Sequence, residues 1–168
     1  AEAFEVIAEK VKGQETNTAA IAGDLACAEG MMALKDFMAQ LGSPNLDCRQ
    51  DGAQLPSNGV RANYLFNTGI ANIDDADALL IIGSNPRREA PVLNARIRKR
   101  WVAGNFPIGI IGQDEDLTYP TKHLGNGAET LAELASGKGS FFSTLKKAKR
   151  PMLIIGQPAL AREDGLAV

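Results

Sequence analysis

Four short apolar runs, each stopping at a glycine, constrain the fold of this chain more than any other feature. The runs are residues 18–22, 79–82, 108–111 and 152–155, and the glycines are Gly23, Gly83, Gly112 and Gly156. An apolar run without alternating polar residues predicts a strand buried on both faces, as in a parallel sheet. Each run leads into a turn, and usually into a helical pattern. The predicted fold is therefore α/β, with a parallel sheet flanked by helices.

The clearest combination of strand, turn and helix occupies residues 77–100. Its strand leads into the turn Gly83-Ser84-Asn85-Pro86, and Pro91 stands where the first turn of a helix accepts proline. The helical spacing predicts an inward face of Val92, Leu93, Ala95 and Ile97. The basic residues expected to be solvated near the C-terminus of the helix are Arg96, Arg98, Lys99 and Arg100.

Apolar residues at helical spacing predict further helices at residues 4–11, 26–41, 128–135 and 141–148. The second of these ends at Gly42, a common C-cap residue, and its methionines are expected to fill a core rather than bind a cofactor. A helix is also predicted over residues 61–73, although Asn63, Asn67 and Gly69 have poor helix propensity.

Residues 43–59 have the composition of a loop, except around residues 46–48, and they form the predicted internal boundary. The whole chain of 168 residues suffices for one α/β domain with a core, but not for two full domains. Because the chain starts at Ala1 and its last residues, 165–168, resemble the middle of a sequence, we expect it to be a piece of a longer protein.

Charge and hydropathy exclude several classes of function. Lys and Arg total 18 and Asp and Glu total 20, giving a net charge of -2, so we expect no nucleic-acid binding. No apolar run approaches the roughly 20 residues that span a bilayer, so no direct membrane insertion is expected.

The turns after the strands are the candidate ligand site, because ligands of open parallel sheets bind beyond the carboxyl ends of the strands. Residues 83–85, 112–114 and 156–158 would line one crevice together. There the backbone after Gly83 can cradle a pyrophosphate, and the Asn85 amide offers a donor and an acceptor. The same Gly-Ser-Asn-Pro turn also serves as a plain structural connector in many proteins.

Known catalytic and binding motifs are absent. None of the glycine turns has the GxGxxG form of a dinucleotide fingerprint, and neither GxSxG nor a P-loop occurs. Cys27 and Cys48, predicted to be buried free thiols, form a poor metal ligand set with His123, which we expect to be a structural or surface histidine. The acids at residues 114–116 are expected to be solvated. The sequence contains no catalytic constellation.

The segment ADALLIIGSNPRREAPVLNARIRKRW strongly resembles the large iron–sulfur subunits of respiratory complex I, in the bacterial NADH:quinone oxidoreductases and their mitochondrial counterparts. Further matching segments are AIAGDLACAEGMMALKDF, VRANYLFNTGIANIDDAD, DEDLTYPTKHLG and KKAKRPMLIIGQPALAREDG. The resemblance covers essentially the whole chain and is nearest to the alphaproteobacterial and mitochondrial branch. It implies a Rossmann-like domain similar to the molybdopterin oxidoreductases.

The resemblance implies a site that has lost its cofactor. Active members of that superfamily bind a pterin–guanine dinucleotide with the strand and turn equivalent to residues 80–86, in which Gly83, Ser84 and Asn85 would be the relic of the nucleotide-binding turn. A His-Pro pair usually follows their turn, where this chain has Ala90-Pro91, and their second strand usually ends in Asp-Pro-Arg, where this chain has Gly112-Gln113-Asp114. A carboxylate is thus expected to be missing where a ribose or guanine would need it. The 4Fe-4S and 2Fe-2S clusters of such subunits are expected in N-terminal domains absent from this chain.

By the same resemblance, residues 1–47 form a βα unit belonging to a neighbouring lobe and residues 48–168 form the Rossmann-like domain. An unpaired edge in the first part would invite a homodimer caused by truncation. The resemblance implies that the chain is a cofactor-free packing and assembly domain of the complex I peripheral arm. This domain is not expected to be catalytic by itself, and it is expected on the cytoplasmic or mitochondrial matrix side of the membrane. Its expected partners are other peripheral-arm subunits.

Two alternative functions remain from the sequence. One is a working pterin-guanine-dinucleotide-binding domain of a molybdenum or tungsten oxidoreductase, with Gly83, Ser84 and Asn85 holding the dinucleotide. The other is an NAD(P)-binding domain, against which the missing GxGxxG fingerprint counts. Bound pterin would distinguish the first alternative, and nucleotide titration the second.

Overall fold

The computed structural model describes residues 1–23, 25–48, 52–55 and 59–168. The chain divides into two compact units, Ala1–Gly52 and Ala53–Val168. The predicted division after residue 47 precedes this boundary. Part of the predicted boundary loop, at residues 49–51 and 56–58, lies outside the described residues.

The first unit contains two helices and a minimal parallel sheet. Its elements are α1 (Glu2–Val11), β1 (Ala20–Ile21), α2 (Ala28–Leu41) and β2 (Leu46–Asp47). Helix α2 ends at Gly42, whose φ of 76° is the left-handed conformation of a glycine C-cap. The Ser43 hydroxyl donates a hydrogen bond of 2.6 Å to the carbonyl of Thr18, which ties the segment after α2 to the segment before β1.

The second unit is built on a four-stranded parallel sheet in the order β5-β4-β3-β6. The strands are β3 (Ala78–Ile82), β4 (Ile108–Ile111), β5 (Lys122–Gly125) and β6 (Pro151–Ile155). The helices are α3 (Pro86–Glu89), α4 (Pro91–Val102), α5 (Ala128–Ala135), α6 (Phe142–Lys147) and α7 (Gln157–Leu160). The predicted α/β fold with a parallel sheet is confirmed, as are the apolar runs at residues 79–82, 108–111 and 152–155 as strands.

The core of the second unit lies on both faces of the sheet, and every residue of β3 is buried. Alternate residues of β3 point to opposite faces. Leu79 and Ile81 pack with Ile97 and Ile108 on one face, while Leu80 and Ile82 pack with Phe141, Ile111 and Ala159 on the other. The central strand therefore contacts helices on both sides, which explains its uninterrupted apolar sequence.

Helix α4 faces the core with a different set of residues from the predicted one. Ile97 is fully buried and Leu93 is half-buried, but Val92 is 78% exposed and Ala95 is also exposed. The buried Asn94 takes an inward position instead. Its side-chain amide donates to the carbonyl of Leu117 at 3.1 Å, and its oxygen accepts from the Tyr119 hydroxyl at 2.7 Å. The predicted inward face is therefore confirmed at Leu93 and Ile97 and wrong at Val92 and Ala95, because a hydrogen-bonded polar side chain can also occupy a buried position.

The charge pattern predicts that the basic residues at the C-terminal end of α4 are solvated, but several of them have specific partners in the structure. Arg96 and Lys99 share the carboxylate of Asp74, at 2.8 and 3.3 Å. Arg100 donates to the carbonyls of Ala76 and Gly104, each at 2.8 Å, and its guanidinium lies 4.8 Å from the centre of the Phe106 ring. The contacts with Asp74 and Ala76 tie the C-terminal half of α4 to the segment that precedes β3, and those with Gly104 and Phe106 tie it to the segment that precedes β4.

One further prediction is wrong, and one strand was not predicted. Residues 61–73 do not form the predicted helix, since the segment contains the short 3-10 helices Arg61–Asn63 and Ala71–Asp75, and between them lies Gly69 at a φ of 72°. The residue pattern does not predict strand β5, because Lys122 and His123 are exposed edge residues without an apolar run. Among the described residues, no helix combines the length and apolar character needed to cross a membrane.

Candidate functional site

The turns that follow β3, β4 and β6 meet at one edge of the sheet. The N–H of Gly83 donates to the carbonyl of Ile111, and the N–H of Gly156 donates to the carbonyl of Ile82, each at 2.8 Å. These bonds extend the sheet by one residue beyond each strand. The two bonds use backbone donors that could otherwise face a ligand.

Glycine is required at two of these positions because the chains approach closely. A Cβ atom on Gly156 would lie 2.2 Å from the carbonyl oxygen of Gly83, and a Cβ on Gly83 would lie 2.7 Å from the Cβ of Ala159. Gly83 also has a φ of 58°, which side chains disfavour. The end of β3 therefore packs tightly against the segment that follows β6. In a doubly wound sheet of this strand order, the direction of strand addition reverses between these two strands, and this switch point is where ligands usually bind.

Beside this contact lies an open groove of about 220 Å³, which we call the strand-end groove. Its lining residues are Gly83, Ser84, Asn85, Glu89, Ile110, Ile111, Gly112, Gln113, Glu115 and Pro158. The structure therefore brings the predicted Gly83, Ser84 and Asn85 together with residues of the other two turns. Whether these three residues bind a nucleotide stays a prediction.

The Glu89 carboxylate accepts hydrogen bonds from two donors of the turn. One carboxylate oxygen accepts the backbone N–H of Asn85 at 2.7 Å, and the other accepts the Ser84 hydroxyl at 3.0 Å. The side-chain oxygen of Asn85 accepts the N–H of Arg88 at 3.3 Å and caps α3. Sequence reasoning missed Glu89, because an acid five residues after a serine does not form a recognised motif.

The charge in the strand-end groove is negative. Both Glu89 and Glu115 line it, and no Lys or Arg occurs among its described lining residues. Glu115 enters it from the loop after β4, whereas Gly112 and Gln113 line it directly after β4. That a carboxylate is missing at the end of this strand, where a ribose or guanine would need it, stays a prediction. A carboxylate can contact a sugar hydroxyl, but it repels a phosphate.

The strand-end groove fits the diphosphate of a pterin dinucleotide poorly. Two donors of the turn are already bound by Glu89, the acidic side chains of the lining are of the wrong sign for a diphosphate, and about 220 Å³ is small beside the roughly 300–1,000 Å³ of typical ligand pockets. The residues present therefore do not fit the diphosphate of such a cofactor in this arrangement.

A second groove of about 180 Å³ lies on the other side of the sealed strand ends. Its lining includes Leu131 of α5 together with Arg162 and Asp164. The guanidinium of Arg162 donates to both carboxylate oxygens of Asp164, at 2.7 and 3.1 Å, and this bond lowers the pKa of Asp164. The only cation that lines this groove among the described residues is thereby paired.

One of the acids predicted to be solvated has a specific partner. Asp116 accepts the guanidinium of Arg87 at 2.8 Å, and its other oxygen accepts the N–H of Thr118 at 2.8 Å. The Thr118 hydrogen bond is the main cause that lowers the pKa of Asp116, and Arg87 adds to it. Since both side chains are largely exposed, the ion pair contributes little stability.

His123 is a satisfied surface histidine on β5. Its Nε2 lies 2.8 Å from the carbonyl oxygen of Gly112 and 2.8 Å from the side-chain oxygen of Asn126. Both contacts are to acceptors, so they favour the protonated ring. The Gly112 carbonyl is the largest cause that raises the pKa of His123, followed by Asn126, while desolvation opposes the shift.

The prediction that both cysteines are buried is wrong. Cys27 and Cys48 are both free and exposed. Cys27 lies at the N-cap of α2, where its Sγ accepts the N–H of Gly30 at 3.4 Å, so a capping position outweighs the apolar character of the thiol. Over residues 1–23, 25–48, 52–55 and 59–168, no group of three or more His, Cys, Asp or Glu side chains is arranged to hold a metal ion.

The parallel sheet, its strand order and the turns at its strand ends define a Rossmann-like α/β domain. The family described as molybdopterin oxidoreductase matches residues 1–168, and the chain belongs to this family.

Individual relatives lie among the complex I proteins. The chain is 43% identical, over 88% of its length, to the mitochondrial NADH dehydrogenase (ubiquinone) iron-sulfur protein 1 of Solanum tuberosum. It is 42% identical over 99% of its length to an NADH-quinone oxidoreductase subunit of Rickettsia felis, and 41% identical over 99% to the same subunit of Rickettsia bellii. The matches cover 20%, 25% and 24% of those relatives, so the chain spans a fifth to a quarter of their length.

Proposed function

We propose that this chain is a cofactor-free packing and assembly domain in the peripheral arm of an NADH:quinone oxidoreductase, respiratory complex I. The parent complex passes electrons from NADH to quinone through iron–sulfur clusters and couples this transfer to proton translocation. Support comes from the names of the relatives, two of which are NADH-quinone oxidoreductase subunits and one an iron-sulfur protein. The domain itself contributes surfaces rather than redox steps.

The observation that carries the packing role is an apolar face on the second unit. Tyr64, Leu65, Phe66 and Leu153 have exposed fractions between 37% and 56%. They line an open groove of about 420 Å³ together with Leu55 and Leu160. A contiguous apolar surface of this kind is typical of a protein–protein contact site.

The proposed occupants of this face are other parts of the peripheral arm. In this proposal the domain is a peripheral component of a membrane-associated complex. It lies on the cytoplasmic side in a bacterium or on the matrix side in a mitochondrion. In the same proposal, residues 1–47 belong to a neighbouring lobe and residues 48–168 form the Rossmann-like domain. A homodimer of the isolated chain would then arise from truncation, through an unpaired strand edge in residues 1–47.

The test is to place charges on the apolar face in the intact protein. A double variant, Leu65→Glu with Leu153→Glu, would put carboxylates into the contact while leaving the buried sheet residues in place. We expect the yield of assembled NADH-oxidising complex to fall about tenfold or more, because desolvating two unpaired charges costs several kcal/mol. Native electrophoresis with NADH-oxidation staining measures this yield.

Val92→Glu is the matched control, since Val92 is an apolar residue that is 78% exposed and does not line this groove. It should assemble as the unmodified protein does. Thermal melting of the isolated variants separates a loss of contact from a loss of fold. Normal assembly of a folded double variant would contradict the proposed role of this face.

A further inference from the structure

We infer that Glu89 keeps the turn at Gly83, Ser84 and Asn85 closed to anionic ligands by placing its own carboxylate on two of the turn donors, the Ser84 hydroxyl and the Asn85 backbone N–H. The side chain takes the position that an anionic group of a ligand would need in order to bind this turn. The inference deepens the proposed function and rests on it, because a turn closed from within allows a nucleotide-binding type of fold to serve as a packing element alone.

The bonds that close the turn are of the strong kind. A carboxylate accepting an N–H at 2.7 Å and an O–H at 3.0 Å forms two charge-assisted hydrogen bonds with both of its oxygens. Ser84 and Asn85 are adjacent, so the carboxylate spans the donors of two consecutive residues, as a phosphate oxygen pair would. A competing anion must break both bonds before it can form its own.

The local chain geometry holds Glu89 in this position. Pro86 starts α3, and the four residues of this helix bring Glu89 back over Asn85. The backbone N–H of Glu89 also donates to the carbonyl of Asn85 at 2.9 Å, so backbone and side chain are both tied to the same residue. Because the carboxylate is so close in sequence, it competes with a free anion at a high effective concentration.

The rest of the strand-end groove offers no positive charge that would attract a diphosphate to the turn, among its described lining residues. Glu115 lines the same groove, so a diphosphate that displaced Glu89 would still face at least one carboxylate. The described lining contains no Lys or Arg that could neutralise the added charge. The closed turn and the negative groove therefore act in the same direction.

The experiment is amide hydrogen exchange and ¹H–¹⁵N NMR on the full 168-residue chain and three variants. In Glu89→Ala, exchange of the Asn85 amide should accelerate about tenfold or more, because one charge-assisted hydrogen bond is lost. Glu89→Gln keeps the shape of the side chain and should give an intermediate rate. Glu115→Gln is the matched control, since it removes the other carboxylate of the groove, and should leave the Asn85 rate unchanged.

Inorganic pyrophosphate is the ligand probe for the unmodified chain. We expect the Ser84 and Asn85 resonances to stay unchanged during the titration. A saturable shift of both resonances, or an Asn85 exchange rate unaffected by Glu89→Ala in a folded variant, would overturn the inference. Neither result bears on the assembly yields of the Leu65 and Leu153 variants, so failure of this inference is distinguishable from failure of the proposed function.

Discussion

The two compact units differ sharply in how far they bury their apolar residues. In the second unit, both faces of β3 are covered, and Leu79, Ile81 and Ile97 are fully buried. In the first unit, only Met38 and Ser43 are buried among the described residues, and α1 buries none. Phe4 of α1 is 77% exposed, although it belongs to an apolar helical stripe.

Both units have apolar residues at helical or strand spacing, but only in the second unit are these residues largely buried in a core. The parallel sheet of the second unit is long enough to hold helices on both faces, so its apolar runs become a core. The first unit has a sheet of two residue pairs and too little surface to bury the apolar sides of α1 and α2. Substitutions should therefore be costly in the second unit and nearly silent in the first.

The largest effect is expected for Gly156→Ala. The added Cβ would lie 2.2 Å from the carbonyl oxygen of Gly83, a backbone atom that the sheet holds in place. We expect a loss of at least about 4 kcal/mol in the free energy of unfolding, measured by urea denaturation, or failure to fold.

Gly127→Ala is its matched control. Gly127 has an extended φ of -132°, and its added Cβ would meet its nearest atom only at 4.0 Å. Its cost should stay within about 1 kcal/mol. Equal stabilities of the two variants would show that the strand ends are not sealed as described.

A pair of truncations tests the comparison between the units directly. Ile97→Ala removes a fully buried side chain from the core and should cost about 2–5 kcal/mol. Phe4→Ala removes a larger but exposed side chain and should change the free energy of unfolding by no more than about 0.5 kcal/mol. If Phe4→Ala were as costly as Ile97→Ala, the first unit would bury its apolar stripe in solution.

A smaller effect is expected for Tyr119→Phe. The change removes the hydroxyl that donates to Asn94 at 2.7 Å and leaves the oxygen of a buried amide unpaired. We expect a cost of about 1–3 kcal/mol by thermal or urea unfolding. Burial also raises the pKa of Tyr119, so the phenol should show no ionisation up to the alkaline limit of the folded state. A phenol that titrates as freely as that of an unfolded chain would contradict the buried network.

The smallest effect concerns His123, the single histidine of the sequence. Acceptors at Gly112 and Asn126 raise its pKa above 6.5, the ordinary value. Protonation of His123 is thus favoured in the folded state, and it adds to the free energy of unfolding. This contribution is fully present below the pKa that His123 has in the unfolded chain, and it is lost as the pH rises through its pKa in the folded chain. The ring resonance in NMR should titrate above pH 6.5, and Asn126→Ala should lower the midpoint. A midpoint below 6.5 would contradict the hydrogen-bonded geometry.

The main elements of the second unit could be predicted from the sequence because their signals are local. Residues 79–82 and 108–111 form continuous apolar runs, and α5 has the bounds that its residue spacing predicts. Strand β5 could not be predicted in this way, since only tertiary pairing with β4 makes it a strand. Likewise, the inward position of Asn94 depends on Tyr119, which lies 25 residues further along the chain.

The candidate site was only partly predictable. The turn of Gly83, Ser84 and Asn85 follows from the strand pattern and the rule that ligands bind at strand ends. Glu89 escaped notice because its role depends on the curvature of the four-residue helix α3. Glu115 reaches the groove through a loop, whose course the residue pattern does not reveal.

The most direct test of the central claim, a nucleotide-binding type of fold without its cofactor, is elemental and pterin analysis of the intact assembly containing this chain. The assembly would be purified from its own host in mild detergent. The proposed function predicts iron and acid-labile sulfide in an NADH-oxidising particle without molybdenum, tungsten or pterin. Stoichiometric molybdenum or tungsten with pterin would contradict it and would make the turn at Gly83, Ser84 and Asn85 a working cofactor site.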